Sequence, residues 1–118
     1  MPSSNEFAIG DRSIRWQRFF GPDLLAFKGH FPKTKILPGV MLIELATHVG
    51  GVFLKARHDP RRLSRIVSAV FLAPVFPGHT VTCECEFRDE AGLLTMKSVL
   101  SRDHTICANV KVTYGGAA

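Results

Sequence analysis

The sequence of 118 residues is 46% hydrophobic and 21% charged, which predicts a single folded domain spanning 1–118 and argues against disorder. No uncharged apolar run reaches about 18 residues, so no membrane-spanning helix is expected, and the absence of a secretory signal pattern at the N-terminus favours a cytoplasmic protein. The net charge of +5 at pH 7 favours an acidic partner, but no nucleic-acid-binding motif accompanies it.

The first half of the chain is predicted to contain two strands, a loop and one helix. Residues 13–20 alternate polar with apolar or aromatic side chains, as a half-buried strand does. After the turn signal at 21–23, the short apolar run 24–28 predicts a second strand, and 29–38 predicts a loop. From Gly39 to Leu54 apolar residues occur on every side, which predicts a helix buried in the core.

The second half of the chain is predicted to be strands joined by short turns. Residues 65–75 are rich in β-branched and aromatic side chains, 80–88 alternate at period two, and 93–102 and 105–114 follow after turns at 89–92 and 103–104. The last three strands predict an antiparallel meander. One early helix followed by strands predicts an α+β fold in which the sheet wraps around the helix.

The three cysteines predict neither a disulfide nor a zinc site. Cys83 and Cys85 are two residues apart in a strand, so they share a face and are poorly placed to bridge each other. With Cys107 they are interpreted as reduced, buried thiols. No fourth ligand stands at a spacing that zinc would need, and no metal is expected.

A basic cluster surrounds the turn at Pro60. Its members are Lys55, Arg57, Arg61, Arg62 and Arg65. Two interpretations remain open from the sequence: a solvated loop, or a docking patch for which a small acidic protein is as plausible a partner as a polynucleotide.

Two ionisable residues interrupt the apolar helix. Glu44 lies in about the second turn, and His48 is its i+4 neighbour, so the two side chains share a face. A polar stripe that reaches solvent and an internal Glu–His pair are the structural alternatives. A carboxyl buried without a partner tends to stay protonated, the form suited to donating a proton near neutral pH.

The segment before the helix supplies a candidate base and a candidate oxyanion donor. His30 stands in a Gly-His-Phe-Pro corner, where Phe31 and Pro32 would hold the imidazole against apolar surface. Pro38 and Gly39 then begin the helix, whose first free N–H groups can bind a carbonyl oxygen that becomes negative during a reaction. Base, acid and oxyanion donor are therefore close together in sequence.

This arrangement resembles the 3-hydroxyacyl-(acyl-carrier-protein) dehydratases of the hot-dog fold. The family motif runs His-Phe-Pro, a short spacer, Pro-Gly-Val and then an acid on the central helix. The chain has His30-Phe31-Pro32, then Pro38-Gly39-Val40, and Glu44 fourteen positions after His30. The later run 71–78, which ends in Pro-Gly, is similar to a strand of the same family.

Three positions depart from the family pattern. The usual glutamine four residues after the acid is His48 in this chain. A proline of the loop is replaced by Lys35, and His79 stands where an acidic residue often follows the later Pro-Gly.

The resemblance implies an α+β hot-dog fold, with a long central helix wrapped by an antiparallel β-sheet, and an active site between the subunits of a dimer. His30 of one chain would face Glu44 of the other. His30 would take the α-proton of a 3-hydroxyacyl thioester, and Glu44 would help the 3-hydroxyl leave as water to give the trans-2-enoyl product. The N–H of Gly39 would hold the thioester oxygen.

The resemblance also implies the binding residues and partners. Gly39, Val40, Phe31 and His48 would contact the substrate, and the acyl carrier protein would deliver it. The expected assembly is a homodimer, with a higher oligomer possible, acting in fatty-acid or specialised acyl or polyene biosynthesis. No cofactor, nucleic acid or membrane is expected.

Two other functions remain open on the same fold. A hot-dog thioesterase would need a water poised on the thioester carbonyl, and a histidine before Phe-Pro is not the thioesterase pattern. A non-catalytic acyl-binding or assembly subunit would need only the basic cluster and the buried helix. Fold alone does not decide between these reactions.

Overall fold

A computed structural model describes residues 7–21 and 36–116 of the chain. Its elements are β1 (Phe7–Ile9), β2 (Ser13–Phe20), α1 (Gly39–Ala56), β3 (Arg62–Phe71), β4 (His79–Glu90), β5 (Leu93–Arg102) and β6 (Thr105–Gly115). The strands form one antiparallel sheet in the order β1-β2-β4-β5-β6-β3. One helix packs on this sheet, which confirms the predicted α+β class.

One face of α1, which we call the sheet face, packs against the sheet. Its buried residues recur at helical spacing: Leu42, Leu45, Ala46, Val49, Gly50, Phe53 and Leu54. The helix has a mean hydropathy of 1.4 and is, by length and composition alone, apolar enough to cross a membrane. Its packing against inward-facing residues of the sheet accounts for that apolar character, as in the core helix of a globular domain.

The opposite face of α1, the open stripe, is exposed. Its residues are Val40, Glu44, His48, Gly51 and Lys55. The prediction of a helix buried on all sides is therefore wrong for the single chain. A sheet on one side can cover only one face of a helix, and nothing among the described residues covers the other.

The predicted strands of the meander are confirmed. β5 has the predicted bounds, and β4 and β6 differ from theirs by at most two residues. β2 also has its predicted bounds, whereas β1 was not predicted. β3 begins three residues and ends four residues earlier than predicted. The amides of Leu72 and Ala73 both donate to the Cys107 carbonyl, so the regular pairing ends before Pro74. The strand predicted at 24–28 and most of the predicted loop at 29–38 lie outside the described residues.

Within the described ranges, β3 forms one edge of the sheet and pairs only with β6. Nine of its ten residues are exposed, so the strand has no covered face along most of its length. Large apolar side chains account for much of this surface: Leu63, Ile66, Val67, Val70 and Phe71. An exposed apolar edge strand is a template for pairing with another chain.

The cysteine interpretation is confirmed. All three cysteines are free and buried. The Sγ atoms of Cys83 and Cys85 lie 3.7 Å apart on the same face of β4, and Cys85 Sγ lies 3.2 Å from Ser98 Oγ. The hydrogen bond with Cys85, together with burial, raises the pKa of the Cys83 thiol, so Cys83 stays protonated and unreactive.

Candidate active site

The N-terminus of α1 leaves its first amide groups without a side-chain cap. Pro38 is the N-cap residue and makes no side-chain hydrogen bond, and no acidic residue occurs in the first turn. The amide of Met41 donates to the Pro38 carbonyl at 3.0 Å. The N–H groups of Gly39 and Val40 thus lie at the positive end of the helix with no capping carboxylate. Gly39 stands where the sequence predicted an oxyanion donor.

Gly39 is in close contact with the ring of Phe71, the last residue of β3. A Cβ built at residue 39 would lie 2.9 Å from Phe71 Cζ, which is closer than real Cβ atoms come. A side chain at residue 39 would therefore displace the ring of Phe71 from the start of the helix. Beside this contact lies an apolar cleft of about 640 Å³ that Gly39, Val40 and Phe71 help to line.

Glu44 lies on the open stripe and is exposed. The prediction that its carboxyl is buried is therefore wrong for the single chain, since the helix turns this face away from the sheet. The backbone carbonyl of Glu44 accepts a hydrogen bond from Thr47 Oγ1 at 3.0 Å. Glu44 lies five residues after Gly39, so a rise of about 7.5 Å along the axis separates the two.

His48 shares the face of Glu44, as the spacing predicted, but no ion pair joins the two in the described parts of the chain. The imidazole instead packs against Trp16 of β2, with ring centroids 5.2 Å apart and ring planes at 52°. Trp16 stacks in turn on Phe7 of β1 at 4.9 Å and 12°. The ring of His48 is therefore held by aromatic contact.

Trp16 carries the one buried side-chain polar atom without a hydrogen-bond partner among the described residues, its Nε1. The residue is 6% exposed, and its ring sits under His48. An unpartnered buried donor costs free energy of about 1–3 kcal/mol. The sequence placed Trp16 on an alternating strand but gave no sign that it lies beside the open stripe.

A groove of about 910 Å³ runs from the open stripe to the beginning of β3. Glu44, Thr47 and His48 line one part of it, and Lys55, His58 and Arg62 line another. The groove therefore has the carboxylate of Glu44 in one part and the positive charges of Lys55 and Arg62 in another, along one side of the helix.

Tyr114 of β6 lies beneath the helix and lines the same groove. Its Oη lies 3.5 Å from the Thr47 carbonyl, and a Cβ at Gly50 would overlap this hydroxyl. Burial raises the pKa of the Tyr114 hydroxyl, so it stays protonated. Gly50 thus allows the helix to approach Tyr114, a contact that spacing in the sequence did not indicate.

Some side chains of the basic cluster bind other residues of the chain, and others make no ion pair in its described parts. Arg61 contacts Asp59 at 2.7 Å and Asp89 at 3.0 Å, which ties the loop after the helix to the end of β4. Arg57 donates to the Gly10 carbonyl at 2.7 Å. Exposed cations that make no ion pair in the described parts of the chain are Lys55, Arg62 and Arg65.

His79, which departs from the family pattern, has a structural contact. The amide of Phe76 donates to its Nδ1 at 2.9 Å, which closes the turn before β4. Among residues 7–21 and 36–116, no group of three or more His, Cys, Asp or Glu is arranged to hold a metal ion.

The structure brings four of the predicted site residues together on one helix: Gly39, Val40, Glu44 and His48. His30 and Phe31 lie outside the described residues, so their placement relative to Glu44 stays a prediction. Phe71 and Trp16 also contact this helix, and the sequence did not indicate either contact.

Comparison with known proteins gives a family match over most of the chain. The ApeI-like family, described as ApeI dehydratase, matches residues 6–111. A protein of Solibacter usitatus named 3-hydroxyacyl-[acyl-carrier-protein] dehydratase FabZ is 31% identical over 93 residues, covering 73% of this chain and 57% of that protein. The FabZ of Actinobacillus pleuropneumoniae serotype 5b is 37% identical over 70 residues, covering 54% and 46%.

Solved structures show the same fold. The dehydratase heterocomplex ApeI:P from Xenorhabdus doucetiae has a TM-score of 0.74 and 26% identity, covering 91% of this chain and 90% of that one. The PaaI protein of E. coli has a TM-score of 0.78 at 14% identity, covering 92% and 79%. A hypothetical thioesterase protein from Streptococcus pneumoniae TIGR4, solved with coenzyme A, has a TM-score of 0.76 at 12% identity, covering 95% of this chain and 85% of that one. At 14% and 12% identity, the last two likenesses concern the fold alone.

The predicted resemblance is confirmed by these matches, and so is the hot-dog fold, a helix packed against an antiparallel sheet. The chain spans about half the length of the curated FabZ relatives that it matches. By the match over residues 6–111, the chain belongs to the ApeI-like dehydratase family.

Proposed function

We propose that this protein removes water from a 3-hydroxyacyl thioester to give the trans-2-enoyl thioester. The observation that carries the proposal is the placement of Glu44 on the open stripe, one and a half turns after the uncapped helix start at Gly39. Family membership and the FabZ relatives support the same reaction. Fatty-acid or specialised acyl biosynthesis in the cytoplasm is the setting that fits it.

Two proton transfers carry the elimination. His30 takes the proton from C2 of the acyl chain, and the electron pair of that C–H bond forms the C2=C3 double bond. Glu44, as the neutral acid, donates a proton to the 3-hydroxyl as the C3–O bond breaks, so one water leaves. The N–H of Gly39 donates to the thioester oxygen while negative charge develops there.

The exposure of Glu44 among the described residues supports a site that a second chain completes. Cover over the open stripe would take the carboxyl out of water and favour the neutral acid that the elimination needs. The apolar edge of β3 is the surface on which such a chain would pair. A homodimer in which His30 of one chain meets Glu44 of the other satisfies both requirements.

The composition of β3 sets a test for the homodimer. The strand contains Arg62 and Arg65 but no acidic residue, so two copies paired through this edge would form no ion pair between their β3 strands. Light scattering of the purified chain should give the mass of a dimer. A monomer would contradict the homodimer and favour a non-identical second chain, by analogy with the ApeI:P heterocomplex of Xenorhabdus doucetiae.

An acyl carrier protein would dock beside the groove. Lys55 and Arg62 line its cationic end, and Arg65 follows on the same strand. An acidic carrier would approach these charges faster at low salt than at high salt. Turnover of the carrier-bound substrate should therefore fall with added salt more steeply than turnover of a small thioester that lacks the carrier.

The experiment that tests the function follows enoyl formation from 3-hydroxyacyl thioesters of graded chain length. The parent protein should form the enoyl product, and His30→Asn should reduce turnover by about 10²–10⁴-fold. His104→Asn, at an exposed turn position with φ of 64°, is the matched control and should keep full activity. Release of free thiol without an enoyl product would contradict the dehydratase and support a thioesterase.

A further inference from the structure

The backbone fixes Phe71 in place beside the start of α1. Phe71 is paired with Ala108 in the register of β3 and β6. The next amide, of Leu72, donates to the Cys107 carbonyl at 2.8 Å, and the amide of Leu37 donates to the Val75 carbonyl at 2.9 Å. The second of these bonds ties the segment before the helix to the segment after β3. The backbone of Phe71 therefore has a defined position relative to the helix start, and its ring lies against Gly39.

The ring of Phe71 packs on the helix start and, among residues 7–21 and 36–116, leaves its other side free. Against Gly39, three ring carbons lie 2.9, 3.0 and 3.2 Å from the position a Cβ would occupy. The residue is nevertheless 49% exposed. Its free side faces the apolar cleft of about 640 Å³, whose lining side chains are all uncharged and apolar.

An apolar ring beside the helix start strengthens the electrostatic effect of the N–H groups there. Donors aimed at a developing negative charge act more strongly where water is excluded, because the local dielectric is lower. The donors in question are the uncapped N–H groups at Gly39 and Val40. Water next to them would compete for the thioester oxygen and weaken the interaction.

We propose that Phe71 is a positioning residue for the elimination: its ring excludes water from the helix N-terminus and orients the thioester carbonyl toward Gly39. The inference rests on the proposed function, since it assigns the carbonyl to this helix start. Phe71 acts through the amide groups and not as an acid, a base or a hydrogen-bond donor.

A purely structural role predicts a different outcome from this one. If Phe71 only packed the fold together, its truncation would lower the melting temperature and leave turnover per folded molecule unchanged. If it only bound the acyl chain, truncation would raise KM with kcat unchanged. A role in stabilising the transition state lowers kcat while KM changes little.

The test compares Phe71→Ala and Phe71→Leu with the parent protein, using a 3-hydroxyacyl thioester that the parent turns over. Loss of an oxyanion donor costs about 10²–10³-fold, so loss of its shield in Phe71→Ala should lower kcat by about tenfold, with KM within about twofold. Phe71→Leu keeps an apolar side chain and should lose about threefold. Val99→Ala, an exposed apolar position on β5, should leave kcat unchanged.

An unchanged kcat in Phe71→Ala, or a change in KM alone, would overturn the inference and leave the dehydratase intact. If Phe71→Ala does not melt cooperatively, kcat and KM of Phe71→Leu are used instead. An unchanged kcat, or a change in KM alone, in that variant would overturn the inference. A parent protein that forms no enoyl product from any chain length would overturn the proposed function and this inference together.

Discussion

The two faces of α1 differ in composition and in what covers them. The sheet face is wholly apolar and buried, whereas the open stripe carries a carboxylate, an imidazole and an ammonium group and is exposed. Burial on the first face stabilises the fold, and the second face adds little to that stability. Under the proposed function, folding and chemistry depend on opposite sides of one helix, so substitutions on each side should have separable effects.

The largest expected effect on stability is at Phe53 of the sheet face. Its ring stacks on Phe87 at 3.9 Å and 8°, and the residue is 4% exposed. Phe53→Ala should lower the free energy of unfolding by about 3–5 kcal/mol because it leaves a cavity in the core. Denaturant unfolding measures this, with Val99→Ala as the exposed control. A loss below about 1 kcal/mol would contradict the assignment of stability to this face.

The two adjacent glycines of the helix provide a sharper comparison. A Cβ at Gly50 would overlap Tyr114 and lie 2.7 Å from Met96 Sδ, whereas a Cβ at Gly51 meets nothing within 4 Å. Gly50→Ala should cost about 1–3 kcal/mol of stability through overpacking. Gly51→Ala should gain about 0.5–1 kcal/mol from helix propensity. Equal losses in both variants would show that the open stripe is as tightly packed as the sheet face.

A smaller effect is expected where Arg61 ties the end of the helix to β4. The hydrogen bonds from Arg61 lower the pKa of Asp59 below its usual 3.8. A lowered pKa in the folded state stabilises the fold above pH 3.8, and this contribution is lost as the pH falls through the lower folded value. Arg61→Ala should therefore lower the melting temperature at pH 7.

Thermal melts from pH 7 down to about pH 2.5 measure that contribution. The difference between the parent and Arg61→Ala should shrink below pH 3.8. Arg62→Ala, the exposed neighbour, is the control and should show no such pH-dependent difference. If the difference in melting temperature between the parent and Arg61→Ala stays constant down to the lowest pH, the contact between Arg61 and Asp59 is excluded as its source.

The smallest effect is expected at His48 on the open stripe. His48→Gln removes the imidazole that packs on Trp16, so the wall of the groove changes shape. Stability should change by about 0.5 kcal/mol or less. The kcat/KM should change by less than about tenfold, and by different factors for short and long acyl chains. The same factor at every chain length would argue against contact with the acyl chain.

Local patterns predicted most of the sheet. Period-two alternation and turn residues located β2, β4, β5 and β6 to within two residues, because both signals act over a few neighbouring positions. β1 was missed because it has only three residues, Phe7–Ile9. The order that places β3 at an edge depends on contacts distant in sequence, which a period cannot reveal.

The candidate site was predicted only in part, because some of its contacts join residues that are distant in sequence. Helical spacing put Glu44 and His48 on one face, and this is confirmed, but spacing did not indicate that the face is exposed. Nor did it indicate that Phe71 contacts Gly39 or that Trp16 lies under His48, since both contacts join the helix to strands far away in the chain.

A matched pair of glutamate variants shows whether the open stripe carries the chemistry. Glu44→Gln and Glu84→Gln make the same change on exposed glutamates, one on the open stripe and one on β4. Enoyl formation and thermal melting are measured on both. Glu44→Gln should lose about 10²–10⁴-fold in turnover at an unchanged melting temperature, while Glu84→Gln should keep the turnover and the melting temperature of the parent. Full turnover in Glu44→Gln would contradict a role of the open stripe in the chemistry.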